Sequence, residues 1–310
     1  MRKVVGTGET ILDILFLQGQ PVAAVPGGSS FNSIISTGRA GVPCIFVGYT
    51  GNDAVGRQTV EFMQRNGVRT DFFEVRNDEK SALSLAFLDE HGDADYTFYK
   101  TSPRAGTQWT LPPFSPGDVM LYGSYYAACT GTRPMIKEML ERANSAGAIV
   151  YYDLNFRRSH QHELAALTPT IQSNFRHSSI VRGSADDFEV MFATRDARQI
   201  YSRHISSFCP FFICTSGAEA VTVCTPTGAY DYEVPPVTDV VSTVGAGDNF
   251  NAGFACALIW EGFGLADLPK LKRDEWERLV RTACLFAGEA CRSTDNYISA
   301  EFGAQLAARR

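Results

Sequence analysis

The sequence predicts a three-layer α/β fold: a mostly parallel central sheet with helices on both faces, and a small β lid beside it. Three observations carry that reading. Short β-branched or aromatic runs alternate with helix-patterned segments along most of the 310 residues, the runs are apolar almost throughout, and two stretches in the first third break the alternation. A strand covered on both faces has no polar side, so continuous apolar runs separated by amphipathic helices point to a parallel sheet covered twice.

The elements follow in order. Met1 to Gly6 runs directly into strand-like sequence, and a glycine turn at 26–28 leads into a helix that runs to Ala40 and stops at Gly41. Residues 44–49 read as a strand followed by a helix at 55–66. Residues 119–122 and 133–146 repeat the pair, as do 179–181 and 185–192, with a strand at 148–152 between them. The exceptions are 11–25 and 81–100. In the second, S-A-L-S-L-A-F-L, a D-E-H-G-D turn and Y-T-F-Y-K make a hairpin with no helix between its strands. These stretches read as an antiparallel flap, the usual material of a lid over a ligand cleft. Leu83, Leu85 and Phe87 share one face of it and Ala82, Ser84 and Ala86 the other. An apolar lid face needs a cover, which predicts a homodimer with lids packed together.

Composition narrows the function. A net charge of −6 with acidic and basic residues mixed along the chain leaves no footprint for nucleic acid or an anionic membrane. No long apolar segment follows the N-terminus, so neither a signal peptide nor a spanning helix is expected, and a cytoplasmic protein is the simplest reading. Eight cysteines lie mostly in apolar stretches without a C-x-x-C pair, which indicates buried thiols. His160 and His162, flanking Gln161, read as a solvated turn.

Two motifs carry chemistry. In V-S-T-V-G-A-G-D-N-F-N-A-G (241–253), a strand-like stretch at 238–243 meets the turn Gly245-Ala246-Gly247, and Asp248 opens an apolar helix. Backbone N–H groups at a helix N-terminus favour an anion. Asp248 beside such a seat is either a helix cap or a base that takes the proton of a hydroxyl attacking a phosphoryl group. Near the N-terminus, Gly27-Gly28-Ser29-Ser30-Phe31-Asn32 together with Asp13 suits a polyol, because an Asn amide both donates and accepts and a carboxylate can take two vicinal hydroxyls. A glycine turn capped by Ser29 or Ser30, with Asp13 solvated, fits the same residues.

Taken together, G-G-S-S-F-N-S, G-Y-T-G-N-D-A-V-G (48–56), N-G-V (66–68) and S-T-V-G-A-G-D-N-F-N-A-G-F (242–254) resemble the two signature regions of the ribokinase-like (PfkB) carbohydrate kinases, in order and over essentially the whole chain. The resemblance implies one kinase domain over 1–310, with ATP and Mg²⁺ as cofactors and a small sugar as acceptor. Within the family, the motif style is nearest to fructokinase and 2-keto-3-deoxygluconate kinase. Asp248 stands as the base, and Gly245, Ala246 and Gly247 as the anion hole. Asp13, Gly27, Gly28 and Asn32 stand as sugar contacts.

The resemblance places Thr215 and Gly217 in the nucleotide loop, where Ala220 replaces a glycine. Ser184 and Asp187 stand where an Asn-x-x-Glu element organises magnesium through water, and Phe286, Ala287 and Ala290 stand at the adenine pocket or as ordinary helix core. Arg157, ending D-L-N-F-R, meets phosphates, sugar or a neighbouring carboxylate. Lys100 replaces an arginine of the lid. Ser242 replaces an aspartate that helps hold a monovalent cation, which implies weak dependence on K⁺ or none. Fructose is the first acceptor, with 2-keto-3-deoxygluconate, ribose and nucleosides as alternatives. A sugar- or nucleotide-binding regulator without turnover is the competing class.

Overall fold

The computed structural model describes residues 1–309 apart from 89–93, 101–106 and 124. The first seven strands are β1 (Val4–Thr7), β2 (Ile11–Leu17), β3 (Gln20–Gly27), β4 (Cys44–Gly51), β5 (Val68–Arg69), β6 (Phe73–Arg76) and β7 (Ala82–Leu88). There follow β8 (Ala94–Tyr99), β9 (Val119–Gly123), β10 (Ile149–Asp153), β11 (Ile180–Ser184), β12 (Phe211–Ser216), β13 (Ala220–Thr225) and β14 (Gly228–Glu233). The main sheet has the order β14-β13-β12-β11-β10-β9-β1-β4-β5, with β6 beside β4. Its centre is parallel, with Val4 opposite both Cys44 and Val119, while β12, β13 and β14 close one edge antiparallel.

The apolar runs are explained by two cores. In β9, Val119 and Leu121 pack on one side with Ile34, Phe254 and Phe286, from the helices Ser29–Arg39, Ala246–Trp260 and Arg273–Ala290. Met120 and Tyr122 face the opposite side, where Met139, Phe175 and Phe188 come from Arg133–Ser145, Leu164–His177 and Ala185–Phe192. Each such side chain contributes about 1.5–3 kcal/mol by leaving water, so both alternating sets must be apolar. Gly253 permits a close contact between the helices Ala246–Trp260 and Arg273–Ala290, since a Cβ there would lie 2.8 Å from Ala283 Cα.

The lid is a second sheet of order β3-β2-β7-β8. It is not wholly antiparallel: the two hairpins are, but β2 and β7 pair in parallel, with Asp13 opposite Ser84. Both central strands leave the main sheet in the same direction, and each returning strand takes an outer edge. The expected D-E-H-G-D turn lies outside the described residues. The strand expected at 238–243 is absent; this stretch is irregular, with Asp239 in the left-handed region (φ 61°) and Val241 and Ser242 donating to the Cys291 carbonyl. Those donors go to a helix end, so no ladder forms.

All eight thiols are free and seven are buried. His160 and His162 gather on Glu163, and Tyr125 stacks on His160 with centroids 4.1 Å apart. Among the described residues no helix is long and apolar enough to cross a membrane.

Candidate active site

The C-terminal ends of β1, β10, β11 and β12 converge on the N-termini of two helices, Ser29–Arg39 and Ala246–Trp260. Ligands of open parallel sheets bind at this edge. Gly245 (φ 79°) caps the second helix, so Asp248 is in its first turn and does not cap it. Its carboxylate instead bridges to the other helix. Ser29 Oγ donates to Oδ1 at 2.7 Å, Asn32 Nδ2 donates to Oδ2 at 2.8 Å, and Ser33 Oγ donates to the Asp248 carbonyl at 2.8 Å. Ser36 continues the row, donating to Asn249 Oδ1 at 2.6 Å. Ser29, Asn32, Ser33 and Ser36 recur at helical spacing and form a polar stripe on a buried helix, which makes the contact specific.

The Asp248 carboxyl group is perturbed by its surroundings. Burial raises its pKa to about 6, against the lowering effect of the Ser29 and Asn32 hydrogen bonds, so near neutrality it is mostly ionised yet readily protonated. The alternative of a helix cap by Ser29 or Ser30 is not realised: Gly28 (φ 128°) occupies that position, where a Cβ would lie 2.3 Å from the Glu9 carbonyl oxygen. Asn32 Oδ1 is buried without a partner among the described residues, which leaves it free to accept a hydrogen bond.

Asp13 faces the same cleft and accepts a hydrogen bond from Ser84 Oγ. Burial raises its pKa, while Ser84 and the charge of Arg157 pull it down. Gly27 leaves room for it, since a Cβ there would lie 2.6 Å from Asp13 Oδ2 and 3.7 Å from Asn296 Nδ2. Exposed Arg157 is near enough to Asp13, Asp248 and Tyr96 for its charge to bear on each. Tyr96 and Phe98 share the lid face of Ser84, stacked at 5.8 Å and 7°.

Beside this helix N-terminus stands a residue that the motifs did not indicate. Arg182, in the middle of β11, is buried, donates from Nη1 to Asp153 Oδ1 at 2.9 Å and from Nη2 to Thr215 Oγ1 at 2.7 Å, and lies against Gly247. A Cβ at Gly247 would sit 3.1 Å from both Nη atoms. The Ala246 N–H turns back to the Thr243 carbonyl at 3.2 Å, leaving those of Gly245 and Gly247 at the open helix end.

Ser184 and Asp187 form a capping box: Asp187 Oδ2 accepts from the Ser184 N–H and Oγ at 2.8 and 2.7 Å. Thr215 is the penultimate residue of β12, and Gly217 (φ 55°) turns the chain into β13. Phe286 and Ala290 are wholly buried, with Phe286 packed on Trp260 and Phe302; only Ala287 of the three reaches the surface. Sequence reasoning missed Ser33, Ser84, Tyr96, Arg182 and Asn296. The stripe spacing could have indicated Ser33. Nothing local singles out Arg182, Asn296 or the lid residues.

Comparison with known proteins agrees with this fold. Aminoimidazole riboside kinase of Salmonella typhimurium is 30% identical over 264 residues, 83% of this chain and 81% of the relative. A fructokinase of Vibrio alginolyticus is 23% identical over 267 residues, 83% and 84% of the two chains. The crystal structure of Vibrio cholerae fructokinase with fructose, ADP and calcium superposes with a TM-score of 0.83 at 22% identity, over 99% of each chain. That of the Salmonella enterica riboside kinase with aminoimidazole riboside and an ATP analogue gives 0.81 at 24%, again over 99% of each. With residues 1–301 matching the pfkB family carbohydrate kinases, the chain belongs to that family.

Proposed function

We propose that this kinase transfers the γ-phosphate of ATP to a hydroxyl of a small sugar, with fructose the first acceptor to test. The observation that carries the reading is Asp248: a carboxylate with pKa about 6, held by Ser29 and Asn32 beside a helix N-terminus that seats anions. Gly247, laid against the Arg182 guanidinium, and the open N–H groups of the turn fit a polyphosphate. Among the described residues no three His, Cys, Asp or Glu side chains gather as cation ligands. That suits Mg²⁺ carried by phosphates and water, with Asp187 reached through water. Bound Mg·ATP supplies the phosphoryl group and screens its charge.

The chain's own residues do the rest. Asp13 and Asn32 orient the acceptor, Asp248 takes the proton of its attacking hydroxyl, and the helix N-terminus offsets the charge of the transferring group. The lid, with Tyr96 and Phe98 over Asp13, excludes water as a rival acceptor. That aromatic pair supports a second reading, a riboside whose flat base stacks on the lid. A screen of D-fructose, D-ribose, 2-keto-3-deoxygluconate and nucleosides with Mg·ATP, read as ADP release, decides between them. Binding without turnover by every acceptor would leave a regulator instead.

Asp13→Ala is expected to raise acceptor KM about 10- to 150-fold, the worth of a charged hydrogen bond of about 1.5–3 kcal/mol, with kcat little changed. Calorimetry showing unaltered sugar affinity removes Asp13 from the site.

The outer lid face supports a homodimer. Phe87 is 43% exposed and stacked on Phe16 at 4.8 Å, while Ser84 and Ala86 of the opposite face are buried. Light scattering is expected to give a dimer that Phe87→Ser weakens; a monomer at every concentration sinks the idea.

Weak dependence on K⁺ follows from Ser242, whose Oγ accepts the Val244 N–H at 3.1 Å and brings no charge to the loop. Turnover in K⁺ is expected to match turnover in a bulky organic cation at equal ionic strength, and Ser242→Asp to gain activation. Strong activation of the wild type refutes it.

A further inference from the structure

At the root of the lid is a cavity of about 70 Å³ that the phosphoryl-transfer chemistry does not use. Its walls include Glu9, Tyr49, Lys100, Tyr125, Tyr126 and Cys129. It adjoins the acceptor groups: the Glu9 carbonyl fixes the tight approach at Gly28, and the Glu9 charge is close enough to bear on Asp13.

Two features mark it as built for a ligand. Tyr126 is only 7% exposed, and its hydroxyl has no hydrogen-bond partner among the described residues. A buried hydroxyl left unpaired is costly, so an occupant with a complementary polar atom is favoured there. Glu9 is held by Lys100 Nζ, 3.0 and 2.9 Å from its two oxygens, at a place where both side chains are more than a third exposed. Such a pair is weak and screened, and a carboxylate has lone pairs to spare for a second donor.

We propose that this cavity is the subsite for the end of the acceptor remote from the transferred phosphoryl group, and that it selects a hydrogen-bond-donating end, hydroxyl or amine, between Glu9 and Tyr126. The assignment rests on the kinase reading above. An acceptor lying along Asn32, Gly28 and Asp13 with one hydroxyl at Asp248 brings its other end to Glu9. Acceptors lacking a donor at that end leave Glu9 and Tyr126 unanswered and are rejected.

Binding rather than turnover tests it, so failure of the kinase reading is seen separately as absence of ADP release. Cys129 is the one cysteine of eight that is not buried, and it lines the cavity. With D-fructose, D-ribose or aminoimidazole riboside at saturation and no nucleotide, at least one is expected to slow maleimide labelling of Cys129 fivefold or more. Tyr126→Phe and Glu9→Gln are expected to weaken binding of that same compound tenfold or more by calorimetry, with ATP affinity within twofold of wild type. A deoxy analogue lacking the remote hydroxyl is expected to bind wild type and Tyr126→Phe alike. Labelling unaffected by all three compounds, or equal affinity of wild type and both variants for the protecting compound, overturns the assignment.

Discussion

Replacing Asp248 by Asn is expected to lower kcat by about 10² to 10⁴, the scale of a lost general base, while the fold and ATP affinity persist. The amide keeps the shape but cannot take a proton, and it turns one donor toward Ser29 or Asn32. In the wild type, kcat/KM is expected to fall tenfold per pH unit below about 6, where Asp248 becomes protonated. Stability runs the other way. The folded pKa of about 6 is above the ordinary 3.8, so the native state binds the extra proton between those values and stability falls as pH rises through that window. Above it, the ionised carboxylate costs on the order of 3 kcal/mol. Asp248→Asn is therefore expected to melt no lower than wild type at pH 8. Near wild-type turnover in this variant, or an acid limb unmoved from wild type in its residual activity, removes Asp248 as the base.

Arg182→Met is expected to destabilise the protein by about 3–5 kcal/mol, because it strands the Asp153 carboxylate in the interior. The two side chains are 6% and 5% exposed, and their contact is at 2.9 Å. Burial alone would lower the Arg182 pKa, but the charge and hydrogen bond of Asp153, with Tyr151 and Asp187, together outweigh it, so the guanidinium stays charged. The double variant Arg182→Met with Asp153→Leu is expected to recover much of the lost stability, since no charge is then left unpaired. Activity is not expected to recover with it, because Thr215 has lost its donor and Gly247 its support. Denaturant midpoints decide the matter: a single variant as stable as wild type, or a double variant no better than the single, overturns the account.

The fold was largely legible because burial on both faces leaves its mark in each strand separately. Val119-Met120-Leu121-Tyr122 reads as a central strand without knowledge of its neighbours, since both alternating sets must be apolar. The stretch at 238–243 was misread for a related reason. Its β-branched residues suit a strand, but its N–H groups are taken by Cys291, a partner some 50 residues on that no local pattern announces. The parallel pairing of β2 with β7 was hidden likewise, because hairpin signals speak only of adjacent strands.

By itself the sequence determined the layered sheet and the two motif regions, including Asp248 beside a glycine turn, because strand burial and turn geometry are local demands on local residues. Only the tertiary structure decided what those residues do together. Asp248 does not cap its own helix; packing against the stripe of Ser29, Asn32 and Ser33 turns it across the cleft instead. The buried charge of Arg182 acquired meaning only when β10, β11 and β12 brought Asp153 and Thr215 to it. Charge, desolvation and hydrogen bonding depend on what surrounds a group in space, and spatial neighbours 29 to 219 residues apart in the chain leave no periodicity to read.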